Sequence, residues 1–166
     1  GAVIYSFAPI ADPDARCLIL GSMPGKASLQ AGQYYAHPRN QFWPILLQLF
    51  NGQPDWNYQQ RTQMLQQHGI ALWDVLHACQ RSGSLDADIK TATVVMNDFA
   101  EFFARYPKIE AVFFNGATAE QSFKRQVEPL LTHSPRLIRL PSTSPAHAAM
   151  SFSAKLQAWQ QIREFC

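Results

Sequence analysis

Apolar residues follow two rhythms along the chain. Four short, nearly unbroken apolar runs, at residues 16–20, 70–76, 109–114 and 136–140, read as strands. Runs of this kind suit strands covered on both faces, as in a parallel sheet. Between them, apolar positions recur at helical spacing. Phe42, Ile45, Leu46, Leu49 and Phe50 predict a helix over about 41–50, with Pro44 tolerated in its first turn. Asn51-Gly52 and Pro54 close it. Residues 58–68 predict a second helix, ended by Gly69. Asn97-Asp98 caps a third, which runs through Phe99, Phe102 and Phe103 to Tyr106 and stops at Pro107. Residues 117–130 and 153–164 supply the remaining helical segments. Strand and helix alternate four times. The expected fold is α/β: a three-layer α/β/α sandwich around a central four-stranded parallel sheet. One domain over residues 1–166 is expected, with 1–15, which hold Pro9 and Pro13, as an arm lying on it.

Right-handed crossovers bring the carboxyl ends of such strands to one edge, where ligands bind in open α/β folds. That edge should gather Gly21-Ser22-Met23-Pro24-Gly25, Asp74, Asn115-Gly116 and residues 141–147. The densest stretch is 21–43, GSMPGKASLQAGQYYAHPRNQFW, which holds Ser22, Ser28, Tyr34, Tyr35, His37, Arg39, Asn40 and Phe42. Packing needs explain few of these side chains in one loop. GSMPG is neither a GxGxxG fingerprint nor a GxxxxGK[ST] phosphate loop, and no GxSxG elbow is present. Aromatic rings beside amides and hydroxyls suit a nucleobase: a ring to stack on and polar groups for its edge. Arg39, Arg81, Arg136 and Arg139 are candidates for phosphates.

Composition changes this picture little. Hydrophobic residues make up 47% and charged residues 16% of the chain, which points to a packed core rather than disorder. The net charge of +2 permits a nucleic-acid partner without requiring one. Cys17, Cys79 and Cys166 are odd in number and widely spaced, which argues against a disulfide framework and against a zinc or iron–sulfur site. A reducing cytoplasm is the expected compartment. No apolar run approaches the roughly 20 residues of a membrane span.

The residues carry a resemblance over nearly the whole length. GSMPG followed by YYAHPRNQFW, and LPSTSPAH after the fourth strand, resemble the two motifs of the uracil-DNA glycosylase superfamily. HPRNQFW with PSTSPA is most similar to its hypoxanthine-DNA (deoxyinosine) glycosylase branch. The resemblance implies a monofunctional enzyme that flips a deaminated base out of DNA, hydrolyses the N-glycosidic bond and leaves an abasic site. Hypoxanthine is the first expected base, with uracil or xanthine after it. No metal, cofactor, membrane or lyase step is expected; the enzyme would be a monomer, in a bacterial-type cytoplasm, acting on chromosomal DNA.

The resemblance also distributes roles. Asn40 matches the catalytic Asn of the HPxNxFW segment and would orient the attacking water. Met23 stands where many members carry a water-positioning Asp or Asn. Gly25 stands where classical uracil enzymes carry a bulky Tyr, so it leaves space for a purine. Leu140 replaces the classical His that stabilises a departing uracil. Phe42 would stack on the base and Asp74 would read its edge, with Gly21, Ser22, Met23 and Asn115 around it. Ionised Asp74 only accepts hydrogen bonds, which favours a base offering N–H groups such as hypoxanthine N1–H. Pro24, His37, Arg39, Ser142, Ser144, Pro145, Ala146 and His147 would hold DNA. His37 and His147 both stand as acids for a leaving purine, and the sequence does not choose between them.

Plainer readings compete. Asn40 could cap the following helix, Asp74 could brace a turn, and Asn115-Gly116 and 142–144 could be turns only. Trp43 reads as core. Other functional classes on the same residues are a mismatch-specific uracil or thymine glycosylase, a binding module without catalysis, and a nucleoside hydrolase.

Overall fold

A computed structural model describes residues 1–166. In chain order, the strands are β1 (Val3–Tyr5), β2 (Cys17–Gly21), β3 (Ile70–Asp74), β4 (Leu76–Gln80), β5 (Val95–Met96), β6 (Ala111–Asn115) and β7 (Arg136–Leu140). The helices are α1 (Lys26–Ala31), α2 (Phe42–Leu49), α3 (Tyr58–Gln67), α4 (Phe99–Arg105), α5 (Ala117–Gln126) and α6 (Phe152–Trp159). Short 3-10 turns extend α5 and α6, at Glu128–Leu130 and Gln160–Glu164.

Four strands form a parallel sheet in the order β3-β2-β6-β7. Side chains alternate across β2, and the two sets enter different cores. Cys17 and Ile19 pack with Ile70, Leu72 and Phe113 under α2, α3 and the C-terminal segment. Leu18 and Leu20 pack with Trp73, Val112 and Phe114 under α4 and α5. Helices on both faces of a four-stranded parallel sheet form the expected three layers. Asp98 caps α4 by accepting from the Glu101 N–H, and Asn57 with Gln60 builds a capping box at α3.

The apolar run at 70–76 hides a change of sheet. The parallel strand stops at Asp74, and β4 begins at Leu76 in a second, antiparallel sheet ordered β1-β4-β5. Residues 1–15, expected as an arm lying on the domain, supply its β1 edge. These edge strands are two or three residues long, too short to show a periodic pattern. α1 was also not expected. It is six residues long, starts after Gly25 and ends at Gly32, whose φ of 65° suits glycine.

One cysteine pair is bonded against the expectation from spacing. Cys17 and Cys166 form a disulfide although 149 residues separate them, and Cys79 alone is free and buried. Sequence spacing did not report this contact, because the fold brings the last residue to the start of β2. No helix is long and apolar enough to cross a membrane.

Candidate active site

The register of the sheet decides which strand ends meet. Gly21 pairs with Asp74 across β2 and β3, and Asn115 pairs with Leu140 across β6 and β7. Beyond these pairs the chain keeps bonding: the Val75 N–H donates to the Gly21 carbonyl at 2.8 Å, and Leu76 N–H to Ser22 at 3.1 Å. A cavity of about 780 Å³ opens at this edge. That volume suits a base with part of its sugar and phosphate.

The loop after β2 forms the floor, with Gly21, Ser22, Met23, Pro24 and Gly25 all on the wall. Gly21 is a close-approach glycine. A Cβ there would stand 2.6 Å from Asp74 Oδ1 and 2.9 Å from the Tyr35 hydroxyl, so both groups crowd one point on its surface. Gly25 has no such neighbour. Its Cβ would meet Ser84 at 3.8 Å, an ordinary contact, so the missing side chain leaves open space.

Asp74 is only 3% exposed, yet it lines the cavity. Its Oδ2 has no hydrogen-bond partner. Burial first, and then the Asp86 carboxylate, push its carboxyl up to about 7, while the Arg81 guanidinium pulls the other way. The Tyr35 hydroxyl is also buried without a partner. Burial and the Asp74 charge both push that phenol above its ordinary value. Two unspent polar groups on a cavity wall are unusual, because buried polar atoms are nearly always paired.

The segment before α2 shapes the opposite wall. Tyr35 adopts a φ of +56°, rare for a bulky residue. That turn lays its ring flat on Phe42, centroids 4.0 Å apart and 19° from parallel. Phe42 itself is fully buried and is not on the cavity wall. The expectation that Phe42 stacks on a ligand is therefore corrected. Helix α2 turns Phe42 into the core, and the partner of the pair that lines the cavity is the half-buried Tyr35. Trp43 is core as expected, its indole N–H donating to the Tyr34 carbonyl.

His37 to Asn40 make a tight turn, with the Asn40 N–H donating to the His37 carbonyl at 3.0 Å. His37 Nδ1 accepts from the Arg39 N–H. Asn40 Oδ1 accepts from the Phe42 N–H at 2.9 Å, so the capping reading of this residue describes a real bond. One lone pair of that oxygen and the whole amide nitrogen remain free, and Asn40 lines the cavity.

The last wall comes from the loop after β7. Thr143 is fully buried and ties this loop to Asn115 from both ends: Asn115 Nδ2 donates to Thr143 Oγ1, and the Thr143 N–H donates to Asn115 Oδ1, each at 2.9 Å. Asn115, expected to touch a base, thus spends both ends of its amide on a loop brace. Ser142 Oγ accepts from the Ser144 N–H, and Ser144 Oγ accepts from the Ala146 N–H. Both hydroxyl protons stay available to an outside acceptor such as a phosphate. Pro145, Ala146 and His147 complete the rim, and buried Lys155 holds it by donating to the His147 carbonyl at 2.8 Å.

Of the four arginines expected to face phosphates, only Arg39 lines the cavity. Arg81 is buried and braces loops, donating to the Gly83 and Pro24 carbonyls. Arg139 pairs with Glu120 at 3.7 Å. Arg136 opens β7, at the opposite end of the sheet, with its guanidinium over Phe165.

One part of the site had no counterpart in the sequence reading. The loop at 82–88 folds over the floor, and its Ser84, Leu85, Asp86 and Ala87 line the cavity. Ser22 donates to Asp86 at 2.6 Å, and the Lys26 N–H donates to Ser84 Oγ at 3.0 Å. Its composition marks a turn, but nothing in it says which edge it covers.

Comparison with known proteins bears on the family and the fold. The family described as the uracil DNA glycosylase superfamily matches residues 8–163. A hypoxanthine DNA glycosylase of Methanosarcina acetivorans is 32% identical over 158 residues, covering 94% of this chain and 95% of that protein. Another, from Methanosarcina barkeri, is 39% identical over 111 residues, 66% of this chain and 69% of that one. The solution NMR structure of a uracil DNA glycosylase-like protein from Methanosarcina acetivorans superposes with a TM-score of 0.80 at 27% identity. It covers 98% of this chain and 99% of that one. These relatives are archaeal, which corrects the expectation of a bacterial type. On the match across 8–163, the shared fold and the two motif loops that meet at one cavity, the chain belongs to the uracil DNA glycosylase superfamily.

Proposed function

We propose that this protein is a monofunctional DNA glycosylase that excises hypoxanthine from DNA, with uracil or xanthine as poorer substrates. The observation that carries this reading is the open floor at Gly25 beside Asn40 in one cavity, with room for a purine. The likeness to two proteins named hypoxanthine DNA glycosylase supports it.

In this reading the flipped base lies against the ring of Tyr35, which Phe42 backs from the core. Arg39 and the hydroxyls of Ser142 and Ser144 hold phosphates, and Pro145-Ala146-His147 fill the gap the base leaves. Asn40 accepts a hydrogen bond from the attacking water and fixes its position. An amide is a poor base, so it acts as the sugar turns cationic and needs little help from deprotonation. Phe42 N–H holds the amide in its orientation.

Duplex oligonucleotides carrying one inosine, uracil, thymine-mismatch or xanthine site, treated with protein and then alkali, test the reading. Strand breaks at inosine first are expected. Asn40→Ala should slow inosine excision by about 10²-fold or more, the cost of losing a positioned reactant. Parental rates in that variant would remove Asn40 from the mechanism. A binding module without catalysis is favoured by one observation, the thioether of Met23 on the floor. Binding with no break at any base would select it.

A further inference from the structure

We infer that Asp74 works as a neutral carboxylic acid that reads the lactam edge of the flipped base, an N–H beside a C=O. This deepens the proposed function and rests on it. The acid O–H donates to the base carbonyl, and the acid C=O accepts from the adjacent base N–H. Hypoxanthine offers this edge at O6 and N1–H. An ionised carboxylate could satisfy only the N–H and would face the base carbonyl with a second negative oxygen.

Geometry supports the assignment. Asp74 is 97% buried by its 3% exposure, sits on the cavity wall, and has an oxygen with no partner in the protein. Gly21 leaves the carboxyl uncovered where any Cβ would strike it. Burial comes first in favouring the neutral form, and the nearby charges act in both directions. Asp86, from the loop over the floor, adds a like charge, and Arg81 opposes it while bonded to the Gly83 and Pro24 carbonyls. From the segment before α2 come the phenols of Tyr34 and Tyr35, both pushed up by burial first and then by Asp74. From β2, Ser22 directs its hydroxyl to Asp86, and from the turn before α4, Asn97 donates to the Asp74 backbone carbonyl rather than its carboxylate. His37, His147, Lys26 and Arg39 also line the cavity.

The test compares the parent with Asp74→Asn, whose amide keeps a donor and an acceptor at every pH. Two readouts are taken between about pH 6 and pH 8. One is single-turnover excision of inosine from a duplex. The other is affinity for a duplex carrying 2′-fluoro-2′-deoxyinosine, relative to the same duplex undamaged. A group half-ionised at about 7 makes the parent fall about 10-fold across that interval, with the Asn variant changing less than about 2-fold. Titration of the base itself is common to both proteins and cancels. A parent profile that is flat or rises, or an Asn variant that falls in parallel, overturns the inference. The expected affinity profile without excision at any pH leaves the base reading standing and removes the glycosylase. Excision with an unaltered profile in the variant does the reverse.

Discussion

Asp74 also couples the site to the stability of the fold. Its carboxyl titrates at 3.8 when unfolded and at about 7 when folded. A raised carboxyl contributes fully below the unfolded value, and that contribution is lost as pH rises through the folded one. The native state therefore pays for an ionised, buried carboxylate above about pH 7. Asp74→Asn should exceed the parent in stability by roughly 2–4 kcal/mol at pH 8, with the gap shrinking towards pH 4. Urea unfolding at both pH values measures this, and an equal gap at the two would refute it. At this scale the sequence was partly legible. Asn40 and Gly25 could be singled out because their chemistry is tied to a motif. The choice between Tyr35 and Phe42 could not be made, because both rings flank HPRN and only the helix phase decides which one turns inward. The neutrality of Asp74 was invisible too, since it arises from burial and from Asp86, twelve residues away in sequence and adjacent only in space.

Among the elements, the four parallel strands and their helices followed from apolar periodicity. The second sheet and the 82–88 loop did not, since both are held by contacts across the chain rather than by local pattern. Arg81 is the clearest case. It read as a phosphate ligand, yet its guanidinium joins the floor loop to the loop above it through the Pro24 and Gly83 carbonyls. A planar fork with several donors suits this bridge. Arg81→Gln should cost about 1–3 kcal/mol in thermal or urea unfolding, because buried carbonyls lose their donors. It also removes the cation that lowers Asp74, so the alkaline fall in inosine excision should move to higher pH. A fall displaced to lower pH would contradict the placement of these charges.

For the whole molecule, the three-layer order was legible because each strand run is bounded by turns and the apolar positions between the runs recur at helical spacing. The Cys17–Cys166 link was not, because no local signal places the last residue against the first core strand. A disulfide that closes a long loop removes more entropy from the unfolded chain than one that closes a short loop. Cys166→Ser should lower stability by roughly 2–5 kcal/mol, read as a drop in melting temperature against the parent without reductant. An unchanged melting temperature would mean that the bond adds nothing to the fold.

That bond has a topological consequence. Residues 17 to 166 form a covalently closed ring, and every wall of the cavity, from Gly21 to His147, is strung on it. Only the first strand of the small sheet and its connection lie outside. A backbone break at an exposed point such as Leu85, half exposed at the cavity mouth, leaves one connected molecule rather than two diffusing pieces. The two sides of the cut stay at high effective concentration and can close again around the same cavity.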